Sequence, residues 1–379
     1  MLNVDIFIPT LTPFRKYQNY SFPTYKWNSY WFPVWYYKKE LKNMGINVRF
    51  LHDFGRIFRK KTNFSKIVGI DCKFLGTMVR NKEELLSTLK VLKKKTDYLI
   101  WFDNTASTGT TRFEVLPYVD RYLKRSILKD RTFYTKNSFK KESRIYINFY
   151  NKEYNLDKLY NKKNEFLNYT PLDPKYNHKV SLSWNLALTD YRFTNSFDRF
   201  LYGFTRKNEM NFCKPSINRK VLLSANFSYK ITKPKYYFQR HALLKFLKEK
   251  YKSNHKISIG KMPKKDYLIN LRKSKSICSP FGWGEICFRD FEAFIAGAAL
   301  IKPDMDHVET WPDLYKKQDT YIPISWKIEN WDNEFNEILA NKTLLYEVAK
   351  NGQNIYKRLW TKEGKKAFCE RFYDFLTFK

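Results

Sequence analysis

Cysteine is scarce and unclustered in this chain. The 379 residues include five cysteines, Cys72, Cys213, Cys278, Cys287 and Cys369, with no C-x-x-C pair. An odd count without paired spacing disfavours a disulfide framework or a zinc cluster, so reduced thiols are expected. No run of 18 or more apolar residues occurs, which leaves no candidate membrane-spanning helix. The first residues, MLNVDIFIPT, are too short an apolar run for a signal peptide and pass directly into a strand-like pattern. The expectation is a cytoplasmic protein whose contact with a membrane, if any, is peripheral and at the inner face. G-x-G-x-x-G is absent, which disfavours a dinucleotide-dependent dehydrogenase, and neither H-E-x-x-H nor a His/Cys cluster is present to bind metal. No internal repeat and no RRM, KH or helix-turn-helix signature is evident.

Acidic residues are outnumbered: 37 Asp and Glu face 71 Lys and Arg, a net charge of +34. One interpretation is a polyanionic partner, namely nucleic acid, an anionic glycan or an anionic membrane surface. The other is codon bias, because Lys, Asn, Tyr, Phe and Ile, all encoded by AT-rich codons, are abundant together. The lysines are scattered, with short clusters such as Lys93-Lys94-Lys95 and Lys365-Lys366 rather than one basic tail. That scatter favours codon bias for most of the charge. Hydrophobic residues at 43% and aromatics at 18% suffice for sizeable cores.

Apolar runs at residues 4–9, 47–51, 66–71 and 98–102 read as strands. Residues 25–43 are aromatic-rich and stop at Gly45, although Pro33 interrupts them. Residues 81–94 read as a helix, with Asn81 as cap, Glu83 and Glu84 in the first turn and lysines in the last. Residues 133–218 are less regular. At Arg219 alternation resumes, with strands at 221–225, 256–260, 276–279 and 298–302. Helices fall at 239–251, 264–272, 285–296, 333–340, 344–359 and 362–378. Strands separated by helices indicate parallel, doubly wound sheets. The expected fold class is α/β, with two Rossmann-like domains at 1–217 and 218–358 facing across a cleft. Residues 359–379 would form a helix crossing back to the first domain. Ligands in such sheets bind at the carboxyl ends of the strands.

The stretch SPFGWGEICFRDFEAFIAGAALIKPD, residues 279–304, carries the chemistry. Gly282 and Gly284 allow a sharp turn or a close backbone approach to a ligand. A helix beginning near Glu285 would point free N–H groups at a phosphate. Glu285, Arg289 and Glu292, at i, i+4 and i+7, would then share one face. A carboxylate can accept from ribose hydroxyls and an arginine can fork onto phosphate. The plainer alternative is a set of ion pairs on a solvated helix.

This stretch resembles the donor-site segment of GT-B glycosyltransferases. It is closest to the bacterial surface-polysaccharide (group 1-like) kind, with its R-x-x-E-A-x-x-x-G pattern. The resemblance implies that Glu292 binds ribose, Arg289 phosphate and Glu285 the donor sugar. Six residues separate the glutamates here, where the commoner family pattern has seven. The segment LPYVDRYLKRSILKDR also resembles one found in such bacterial enzymes. The resemblance implies a nucleotide-sugar donor bound by the second domain, an acceptor bound by the first, and no metal or other cofactor.

Other candidates each have an ordinary alternative. Asp103, with Asn104 beside it, follows a strand and could be a general base on an acceptor hydroxyl, or a turn residue. Thr10 and Thr12 could line the acceptor side. Lys302 could neutralise a leaving diphosphate, and His307, Arg219 and Arg240 could reach phosphate or sugar; each is equally an ordinary surface or loop residue. Asp304 and Asp306 form D-x-D, read as a loop rather than a metal site. Trp27, Trp31 and Trp35, with Tyr30, form a helical stripe that suits a buried face better than a sugar-stacking platform. The leading expectation is a transferase moving a sugar from a nucleotide sugar to a glycan or lipid-linked glycan, in surface polysaccharide synthesis. The alternatives are a phage-type enzyme glycosylating DNA, and a non-catalytic nucleic-acid-binding protein.

Overall fold

In the computed structural model, residues 1–9, 30–135, 144–160, 170–189, 210–227 and 234–377 are described. Thr10, Thr12 and Trp27 lie outside them. The first sheet contains β1 (Leu2–Phe7), β2 (Ile46–Leu51), β3 (Ile67–Asp71), β4 (Tyr98–Asp103), β5 (Arg121–Lys124) and β7 (Val180–Leu182). Its order is β2-β1-β3-β4-β5-β7, and every pairing is parallel. The second sheet contains β8 (Val221–Ala225), β9 (Ile257–Ile259), β10 (Ser274–Cys278), β11 (Ala299–Pro303) and β13 (Ile322–Ile324). Its order is β13-β11-β10-β8-β9, again all parallel. In both sheets the strand order reverses beside the first strand, between β1 and β3 and between β8 and β10. Those are the points at which such sheets open a crevice for ligands.

The strands are near-continuous apolar runs because both faces are covered. In β4 every residue is buried. Helix Lys82–Lys93 forms as expected, with the Asn81 side chain accepting from Glu84 N at 2.9 Å. The aromatic stretch instead gives two short helices, Phe32–Tyr36 and Lys38–Asn43, divided at Tyr37. Trp31 is buried and donates to Asp71 Oδ2 at 2.5 Å, while Trp35 is half-buried. The irregular middle supplies helices Ile145–Tyr154 and Leu156–Tyr160 and strand β7. Tyr146, Ile147 and Tyr150 share an apolar cluster with Phe291, Phe294 and Tyr356 of the second half.

Two features tie the halves together. β6 (Ser126–Leu128) pairs antiparallel with β12 (Val308–Thr310) across them. Helix Lys362–Leu376 returns to the first sheet, and its Phe368, Phe372 and Phe375 pack with Trp31 and Trp184. Helix Lys342–Arg358 stays on the second half, where Val348 and Ala349 join its core. No described helix is long and apolar enough to cross a membrane.

Phe372 is fully buried, with its ring 5.9 Å from that of Trp184. Phe372→Ala is therefore expected to cost about 3–5 kcal/mol. The check is the urea midpoint, and an unchanged midpoint would mean that the returning helix is not docked.

Candidate donor cleft

A cleft of about 890 Å³ opens between the two sheets. Many of its lining residues lie just after strand carboxyl ends. Pro9 follows β1, Lys73 follows β3, Ala106 follows β4 and Arg125 follows β5. Opposite them, Asn226 and Phe227 follow β8, Lys261 to Lys264 follow β9, and Trp283, Gly284, Ile286, Arg289 and Glu292 follow β10. Among the described lining residues six are cationic, Lys73, Arg125, Arg240, Lys261, Lys264 and Arg289, against one carboxylate, Glu292. A cleft lined with that imbalance attracts anions.

The helix in the chemistry-bearing stretch is Phe288–Ala296, three residues later than expected. Asp290 sets the start by accepting from Cys287 N at 3.1 Å, which satisfies an otherwise free donor. Glu285 consequently lies before the helix. The expected stripe reduces to Arg289 and Glu292, which share a face at i, i+3 and both line the cleft. Tyr267, on helix Lys264–Lys273, donates to Glu292 Oε2 at 2.6 Å and aims the carboxylate. Burial and the Glu292 charge raise the Tyr267 pKa, so the phenol keeps its proton as donor. Arg289 lies over the Phe227 ring at 5.4 Å, and its Nε and Nη1 are buried without a hydrogen-bond partner. Leaving such donors unsatisfied is costly, so this is where an anionic ligand gains most.

Gly282 and Gly284 are needed for close approach. A Cβ on Gly282 would stand 2.5 Å from Arg240 Nη2. Arg240 also donates from Nε to Phe281 O at 2.7 Å, so it is seated against the glycine turn at the cleft wall. A Cβ on Gly284 would meet the carbonyl oxygen of Ala106 at 1.8 Å. Gly284 therefore lets the two halves touch backbone to backbone.

Glu285 forms the same seam. It is fully buried and accepts from Thr108 N at 3.0 Å, Thr108 Oγ1 at 2.7 Å and Ser107 Oγ at 3.2 Å. His307 Nε2 stands 3.8 Å from Glu285 Oε1, beyond hydrogen-bond reach, so its pull is electrostatic. Burial alone would raise the Glu285 pKa; His307 and the Thr108 donors outweigh it and hold the carboxyl down at about 2.

Three further candidates lie away from the cleft lining. Asp103 is fully buried and accepts from Thr105 N at 2.9 Å, Thr105 Oγ1 at 2.6 Å and the Tyr122 hydroxyl, with Lys124 Nζ at 3.5 Å. Burial opposes its ionisation, but Lys124 and these donors win and lower its pKa. Its carboxylate faces into the domain. Lys302 is likewise buried, paired with Asp290 at 3.1 Å. Arg219 donates to Ser274 O at 2.7 Å, at the amino end of β10 and so opposite the cleft. Asp304 and Asp306 both hold Lys317, the former at 2.6 Å. Among the described residues no group of three or more His, Cys, Asp or Glu could hold a metal.

Sequence reasoning missed Lys261, Lys264, Tyr267, Lys73 and Arg125. For the first two the signal was position, because they follow a strand next to the reversal point. For Arg125 it was a Lys-Arg pair inside the apolar run YLKRSIL.

No protein-family model matches the chain, and no curated protein does. Solved structures of similar path include HepE of Anabaena in complex with UDP, at 8% identity and TM-score 0.47, covering 99% of each chain. The DNA-modifying enzyme beta-glucosyltransferase is similar at 11% identity and TM-score 0.44, over 98% of this chain and 99% of that one. TarM is similar at 9% identity and TM-score 0.45, over 85% of this chain; the match spans 57% of TarM.

The depressed Glu285 pKa has a testable sign. Its stabilisation is complete above the unfolded value near 4.3 and is lost as pH falls through about 2. Glu285→Gln is expected to cost about 2–3 kcal/mol at pH 7 and roughly half as much near pH 3. Urea midpoints at the two pH values measure the difference, and an equal loss at both would contradict the ionised seam.

Proposed function

We propose that this chain transfers a sugar from a nucleotide-sugar donor, with the donor diphosphate held on the wall formed after β8, β9 and β10. The observation that carries this reading is the Arg289 guanidinium, buried at the cleft with Nε and Nη1 unpartnered, one helical turn from Glu292. A nucleoside diphosphate matches the pair. Phosphate oxygens would accept from Arg289, and ribose hydroxyls would donate to the carboxylate that Tyr267 orients. Arg240, Lys261 and Lys264 add the positive charge that stabilises a departing diphosphate, so the reading assigns no metal a role. Closure of two domains over the reacting carbon would exclude water that would otherwise hydrolyse the donor. Asp103 and Glu285 act in this reading through the walls they brace, since both carboxylates are already engaged. The resemblance of residues 279–304 supports a glycan acceptor of the surface-polysaccharide kind.

The net charge of +34 favours a second reading, in which DNA is the acceptor. Retention on duplex DNA at physiological salt, with affinity falling steeply as salt rises, would distinguish it from the glycan reading.

Arg289→Gln is expected to weaken nucleotide-sugar binding about 10–100-fold, the worth of a hydrogen bond to a charged group. Glu292→Ala should abolish turnover while leaving the circular dichroism spectrum unchanged. Donor-consumption assays on both variants test the reading, and wild-type rates in both would overturn it.

A further inference from the structure

The cleft carries cations on both walls, and the donor uses only one of them. Arg125 stands immediately after β5, on the wall of the first sheet, and is only 5% exposed. Its Nη2 donates to Ala106 O at 3.1 Å, while its Nε is buried with no hydrogen-bond partner. Lys73, two residues after β3, lines the same wall and is exposed. The described carboxylates of this region accept hydrogen bonds from other groups, while their charges still act on Arg125 and Lys73. Asp71 accepts from Trp31 at 2.5 Å, Asn104 at 2.6 Å and Lys73 N at 2.7 Å. Asp103 accepts from Thr105 and Tyr122, and Glu285 from Ser107 and Thr108. Among the described residues the first-sheet wall contributes two cations to the lining and no carboxylate.

We propose that Arg125 and Lys73 form a second anion subsite, which holds a phosphate ester of the acceptor beside the hydroxyl that receives the sugar. This rests on the transferase reading above and names the acceptor class for it. Arg125 supplies a directed N–H from the floor of the cleft, and Lys73 supplies a second positive charge at the rim. A volume of about 890 Å³ lies in the upper part of the range for ligand sites, with space for a donor and part of an acceptor together. The depth of Arg125 suits a single phosphate ester on a slender chain rather than the backbone of a rigid duplex.

The test is calorimetric titration of inorganic phosphate into the full chain, free and saturated with a nucleoside diphosphate from a panel of UDP, GDP, ADP and CDP. Phosphate is expected to bind the nucleotide-loaded protein. Lys73→Glu and Arg125→Gln should each weaken phosphate at least tenfold while leaving nucleotide affinity within twofold. Arg289→Gln should do the reverse. Lys73 is exposed, so its variant carries the test even if the Arg125 variant does not fold. Exclusion of phosphate by nucleotide, or wild-type phosphate affinity in Lys73→Glu, would overturn the subsite. Absence of nucleotide binding would sink the transferase reading, whereas phosphate weakened by Lys73→Glu and not by Arg289→Gln in the free protein would still support the subsite. Competition by decyl phosphate supports a small phosphate ester; displacement by a short DNA duplex alone would overturn that assignment.

Discussion

The cleft exists because two loops from different sheets meet without side chains between them. Gly284 approaches the Ala106 carbonyl so closely that even a methyl group would collide, and beside it Glu285 takes three hydrogen bonds from Ser107 and Thr108. A buried carboxylate is tolerated only when donors and nearby positive charge compensate its lost hydration. Here the hydrogen-bond donors come from the opposite half of the molecule. The seam thus fixes how far apart the two walls stand. The β6–β12 pairing and the returning helix Lys362–Leu376 brace it from two other sides.

With the walls fixed, their electrostatics follow from which carboxylates are used up. Asp71, Asp103, Glu285 and Asp290 all lie near strand ends, yet each is saturated by donors or a lysine inside the protein. Among the described lining residues six are arginines or lysines, and Glu292 is the single carboxylate. Local imbalance, rather than the overall charge of +34, makes the cleft an anion site. The bulk charge remains compatible with codon bias, while the cleft charge is set by burial and geometry.

Much of this was legible in the sequence. Alternating apolar runs gave the parallel strands, and residues 282–292 gave the turn that carries Arg289 and Glu292. The helix start was misplaced because Glu285 and Asp290 are both acidic residues near a glycine turn. Only the three-dimensional partners reveal that Asp290 caps the helix while Glu285 crosses to Thr108. Asp103 and Lys302 sit where strand-end logic puts ligand residues, but side-chain direction turns each toward an internal partner, Lys124 and Asp290. Tyr267 was missed for a different reason. It reaches Glu292 through packing between two helices, which no local spacing encodes.

The central claim is that the second-sheet wall binds a nucleoside diphosphate. Thermal unfolding of the wild-type chain with a panel of nucleotides and nucleotide sugars tests it most directly. A ligand at about 100 times its dissociation constant adds about 2.7 kcal/mol to stability. The account predicts that at least one nucleoside diphosphate raises the melting temperature measurably and that its nucleoside does not. No rise with any nucleotide, or an equal rise with the nucleoside alone, would contradict it.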